Sequence, residues 1–225
     1  MKVTEKRPLL LLAVVLAVVV LVAAYNFAGI RTSVTGARAA GSARNLDPVA
    51  FQKEMRELWT DHMQWTFLTV NAFFHNTGAV QAYLDRLLQN QQEIGAAFVP
   101  FYGKEAGDRL ASLLTVHIQQ AVPVLEAARA GDEAALDTAL ADWYANAREI
   151  ADFISSLNPR GWPVAEMEEI WRAHIDQTTT YSLDVLNRNY AAAVRDYDLA
   201  FDHMMGLADV LSAGIIAQFP KRFRR

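Results

Sequence analysis

A chain of 225 residues, 52% of them hydrophobic, carries enough apolar material for one domain of ordinary size with appendages. Its formal net charge of −4 argues against a general nucleic-acid binder. The absence of cysteine excludes disulfides, thiolate metal sites, cysteine nucleophiles and covalent c-type haem attachment.

The first element is apolar. Lys2, Lys6 and Arg7 precede a charge-free run from Pro8 to Ile30, whose centre from Leu9 to Ala24 is Leu, Val and Ala throughout. At a rise of about 1.5 Å per residue, such a run can cross a hydrocarbon layer of about 30 Å. Residues 1–30 are expected to form a signal anchor, a single-pass transmembrane helix with its N-terminus in the cytoplasm. The alternative is a signal peptide cleaved after Ala24, with Val22-Ala23-Ala24 as its small-residue site. Tyr25 and Phe27 read as interfacial residues and favour the anchor. Arg31, Arg38 and Arg44 follow the run, so the positive-inside asymmetry is weak. On either reading the remainder is expected outside the cytoplasm, periplasmic or extracellular.

Residues 31–46 are small, polar and Gly/Ser-containing, the composition of a flexible linker. From 47 to 220 no alternating strand pattern is seen, and apolar residues recur at three and four, the helical period. Asp47-Pro48 is an N-cap followed by proline in the first turn, and opens a helix from Pro48 to His75 that stops at Asn76-Thr77-Gly78. A second helix is expected over 79–98, ending at Pro100 to Gly103, and a third over 105–129, ending at Gly131. Asp132 caps a fourth that stops near Leu157, before Asn158-Pro159-Arg160-Gly161. A fifth opens at Pro163. No proline or glycine follows until Gly206, so the remainder reads either as one long helix or as two, broken near 187–189. The last helix ends at Phe219-Pro220, and residues 221–225 form a basic tail. Connections this short favour antiparallel neighbours. The expected architecture is all-α: an up-and-down antiparallel helical bundle preceded by one N-terminal transmembrane helix.

Polar residues that interrupt the apolar stripes are the functional candidates. The first helix has the stripe Met55, Leu58, Trp59, His62, Trp65, Thr69, Phe73. The third has Leu110, Leu113, Leu114, His117, Ala121, Val124, Leu125, and the fifth Met167, Ile170, Trp171, His174, Thr178, Tyr181, Val185. Each places one histidine on its expected core face. All three lie near mid-helix, where depth is the same for parallel and antiparallel neighbours, so His62, His117 and His174 are expected to share one layer. Asn146, between Trp143 and Ile150, and Asn90 or Glu93 are candidates for the same level.

Converging neutral imidazoles can ligate Zn, Cu, Ni or Fe, and bundle cores build metal sites from facing helices. The candidate site is therefore a transition-metal or small-ligand site with His62, His117 and His174 as ligands and Asn146, Trp65 and Glu93 behind them. Equally open is a purely structural reading, in which the histidines only fix helix register. No Glu-x-x-His pair is present: Trp59, Leu114, Trp171 and Ala200 stand three residues before His62, His117, His174 and His203. Neither a ferritin-like di-metal centre nor a His-Glu-x-x-His zinc protease is supported. P-loop, GxGxxG and GxSxG fingerprints are also absent, and no catalytic residue is assigned. His203 beside Met204 and Met205 reads as core, and His75 as a helix C-terminal residue favoured by the dipole. Pro123 inside the third helix should kink it and free the carbonyl of Gln119.

The segments LWTDHMQWT, LLQNQQEIG, PFYGKEAGDRL with the following VHI, WYANAREIADFISSLNP, HIDQTT and LADVLSAGIIAQFP together resemble a family of uncharacterised bacterial helical proteins. The resemblance spans roughly residues 55–220. It implies a helical fold, often behind an N-terminal hydrophobic segment, with counterparts of His62, Trp65, His117, Trp143, Asn146 and His174, and His203 less regular. It implies no activity. Two functions stay open: a membrane-anchored, extracytoplasmic bundle binding a metal ion or small ligand, or a non-catalytic accessory subunit of a cell-envelope complex.

Overall fold

The structure, a computed structural model, describes residues 45–223. The expected anchor (1–30), nearly all of the linker (31–46) and the last residues of the basic tail fall outside that range. Six helices are described: α1 (Pro48–Phe74), α2 (Val80–Tyr102), α3 (Lys104–Ala130), α4 (Glu133–Leu157), α5 (Val164–Leu186) and α6 (Tyr190–Gln218). No strand occurs among the described residues.

Local chemistry sets the boundaries. Asp47 accepts a hydrogen bond from the Val49 amide at 2.9 Å, and Pro48 occupies the first turn, where its missing N–H leaves nothing unsatisfied. Asp132 does the same for the Ala135 amide at 3.0 Å. Gly131 closes α3 in the left-handed conformation at φ 68°, which costs glycine nothing.

One boundary differs from the sequence reading, and one open alternative is decided. The second helix runs through Pro100 to Tyr102. Proline this close to a C-terminus forfeits little of the hydrogen-bond ladder, and the helix stops only at Gly103, at φ 85°. The open question after Pro163 resolves as two helices, broken at 187–189, where Arg188 adopts φ 61°.

Each helix packs on its neighbours in the chain, and α6 closes the ring onto α1. Opposed chain directions show in paired contacts. Along α1 and α2, Leu58 meets Asn90, Asp61 meets Arg86 and Trp65 meets Tyr83. Along α1 and α6, Arg56 pairs with Asp209, Thr60 meets Met205 and Phe67 meets Tyr197. Helix α5 also reaches across the middle to α1 and α3. Among the described residues, α6 alone is long and apolar enough to cross a membrane. Of its most apolar stretch 44% is buried in the bundle, where Met204, Leu207, Ala208, Leu211 and Ile215 face the core.

Both termini of the described chain meet at one pole. The Leu46 amide donates to the Arg222 carbonyl at 2.7 Å. Beneath it Phe51, Phe101 and Phe223 form a mutual cluster, with ring centroids 5.2–5.6 Å apart.

Candidate functional site

His62 on α1, His117 on α3 and His174 on α5 are 1%, 1% and 2% exposed, and they meet in the core. The His174 ring lies 5.6 Å, centroid to centroid, from both His62 and His117. It takes the middle position because α5 reaches across the bundle to both α1 and α3. Indoles enclose the group. Trp59 stands edge-on to His62 at 5.4 Å, and His117 lies between Trp143 at 5.1 Å and Trp171 at 5.5 Å.

A hydrogen bond assigns the tautomer of His117. Asn146 donates its amide to the Leu113 carbonyl at 3.2 Å, which turns its oxygen toward His117. His117 Nδ1 therefore carries the proton and donates to that oxygen at 3.0 Å, leaving Nε2 as a bare lone pair. Gln91 holds its amide nitrogen on the Leu87 carbonyl at 2.7 Å, with the same nitrogen 3.4 Å from His62 Nδ1. The two hydrogens of that amide are taken by the Leu87 carbonyl and by Asn90 Oδ1 at 3.2 Å, so His62 is free to adopt either neutral tautomer. One nitrogen on each ring is buried without a hydrogen-bond partner: His62 Nε2, His117 Nε2 and His174 Nδ1.

All three rings are held neutral. Burial pushes His62 down to about 3, reinforced by His117 nearby, and pushes His117 down to about 4 against the opposing bond to Asn146. His174 is driven well below the ordinary value by burial, with the other histidines acting in the same direction. Neutral imidazole is the form that ligates metals or hydrogen-bonds through a free nitrogen.

The three histidines form part of the wall of a cavity of about 50 Å³ that runs from the layer toward the pole of the 75–79 and 187–189 turns. Its other walls are mainly aliphatic, among them Val70, Leu87, Ile118, Val124 and Leu125, with hydroxyls from Thr179 and Ser182 that lack partners. No Asp, Glu, Lys or Arg lines it among the described residues. Pro123 breaks the hydrogen-bond ladder of α3 just where that helix borders the cavity.

Other residues singled out from the sequence are distributed differently. Asn146 belongs to the layer. Asn90 is buried beside it and donates to the Leu58 carbonyl at 2.9 Å. Glu93 turns away and accepts from Arg86 at 3.1 Å and from Gln89 at 2.9 Å. Trp65 also lies outside, tilted against Tyr83 with the Arg86 guanidinium over its ring. Neither stands behind the histidines, because each projects from the flank of its helix, where the α1–α2 ion-pair network covers it. His203 is spent on the Ile170 carbonyl at 2.9 Å, and His75 on the Asn71 carbonyl and the Tyr190 hydroxyl. The sequence reading missed Gln91, though its place on the stripe Leu84, Leu87, Gln91, Ile94, Phe98 marks it as core-facing.

No group of three or more His, Asp or Glu among the described residues is arranged to hold a metal ion as it stands. No family of known proteins matches this chain, and neither does any curated protein or solved structure.

Proposed function

We propose that this protein is a membrane-anchored, extracytoplasmic helical bundle whose histidine layer binds a metal ion or other small ligand. The observation that carries the reading is the set of three buried ring nitrogens without partners on the wall of one cavity. An unpaired buried polar atom costs roughly 1–3 kcal/mol, so an occupant that satisfies these three would stabilise the folded protein. The anchor rests on the apolar run 8–30. Ligation by all three imidazoles would require the rings to move closer than they stand.

The test uses the full chain extracted in mild detergent. Were a metal ion the occupant, Zn, Cu, Ni or Fe would co-purify with the wild type, or adding one would raise its melting temperature, and His62→Ala, His117→Ala and His174→Ala combined would abolish the effect. Absence of metal from both proteins, with no shift on addition, would remove the metal form and leave the small-ligand form. Protease accessibility in intact cells and spheroplasts checks the topology: cleavage within 47–220 only from the outer face is expected.

A second reading is favoured by one observation, the closed chain from His117 through Asn146 to the Leu113 carbonyl. In it the protein is an accessory subunit of an envelope complex, and the layer only fixes helix register. His→Leu replacements in the layer would then leave co-purifying partners and cross-linked complexes unchanged.

A further inference from the structure

The same cavity narrows the kind of ligand, on the reading that the histidine layer is a binding site. We propose that the occupant is a small uncharged molecule with a hydroxyl- or amide-like head and a body of a few carbon atoms, rather than a metal ion.

Three features of the walls lead there. The first is charge. With no carboxylate or basic side chain on the wall, a divalent cation or a carboxylate ligand would be buried without a counter-charge. The second is hydrogen-bond polarity. His117 Nε2 offers a lone pair and the Trp143 indole N–H offers a proton, both unpartnered in residues that line the cavity. A head that both donates and accepts satisfies the two at once. A bare cation satisfies only lone pairs and leaves the Trp143 N–H unpaired, while a purely apolar molecule satisfies neither.

The third is size and lining. One water needs roughly 10–15 Å³ measured in this way, and a 150 Å³ void admits benzene. A cavity of about 50 Å³ therefore suits a few non-hydrogen atoms. Beyond the imidazoles the walls turn aliphatic through Val70, Val124 and Leu125, so the apolar body is directed away from the layer and the polar head toward it.

Acetamide, with four non-hydrogen atoms, is the probe. The full chain in detergent micelles, labelled at its indole nitrogens, is titrated with acetamide while the Trp143 N–H resonance is followed, since Trp143 lines the cavity. A saturable shift is expected. Ala121→Leu, which fills the cavity from α3, should abolish it, and His117→Phe, which keeps a ring but removes the lone pair, should weaken binding about tenfold. Both variants are first checked for an intact thermal transition. Asn146→Gln provides a second line if His117→Phe fails to fold.

Parallel titrations with Zn²⁺, Cu⁺ and xenon separate the outcomes. Saturable metal binding without an acetamide response overturns this ligand class while the histidine-layer reading stands. Xenon binding without an acetamide response overturns it in favour of a dry void. No response to any probe overturns both the ligand class and the layer as a binding site.

Discussion

At the scale of single residues, Asn146 decides more than its size suggests. Its oxygen fixes which nitrogen of His117 is bare, and its amide is held by the Leu113 carbonyl of α3. Asn146→Ala leaves the His117 Nδ1–H unsatisfied in the core and removes the second donor to the Leu113 carbonyl, which keeps its helical bond. The expected loss is about 1–3 kcal/mol in urea unfolding with an unchanged m-value. The level of His62, His117 and His174 was legible from sequence because a mid-helix residue stays at mid-depth whichever way the helix runs. Trp65 and Glu93 were not legible. Both flank an apolar stripe, and which flank faces the layer depends on how far α1 and α2 rotate about their axes. In the fold their flank carries the Asp61–Arg86–Glu93 ion pairs, which no periodicity reveals.

At the scale of elements, the pairing of α2 with α3 rests on a close approach. A Cβ added to Gly95 would lie 2.5 Å from the Gly107 carbonyl oxygen and 2.7 Å from the Ala111 Cβ, so these helices pack through their backbones. Gly95→Ala should therefore destabilise by about 1–3 kcal/mol through overpacking, despite the helix propensity it gains. Gly78→Ala is the control: nothing lies within 4 Å of the new atom, and a change within about 0.5 kcal/mol is expected. Thermal melts of the two variants side by side would check this. Helix ends were readable wherever an Asp N-cap or a left-handed glycine marked them, as at Asp132 and Gly131. The break between α5 and α6 was readable only as one of two alternatives. A left-handed arginine carries no composition signal, and the turn is enforced by the antiparallel return of α6 along α1.

At the scale of the whole molecule, the buried histidines couple stability to pH. Their folded values are depressed from 6.5, so the unfolded chain binds protons that the folded chain refuses. Stability is then fully present above about pH 6.5 and declines as the pH falls toward 4, since each proton taken up on unfolding favours the unfolded state. The melting temperature should drop over that window, and His117→Phe should flatten the drop by removing one of the titrating groups. A profile for the variant as steep as that of the wild type would contradict the assignment. The all-helical class was legible from the chain as a whole, because the three-and-four period persists from 48 to 218 and no segment competes with it. The cavity was not, since a void is set by how side chains from five helices fail to meet, and Pro123 gave only its address on one of them.

That void has a mechanical consequence. Unfolding fills it with solvent, so the unfolded chain occupies less volume, and hydrostatic compression pushes the equilibrium toward it by a volume change on the order of tens of mL/mol. A molecule seated against His62 and His117 would remove part of that difference. The protein should withstand compression better when the cavity is filled than when it is empty, even where heat resistance barely changes.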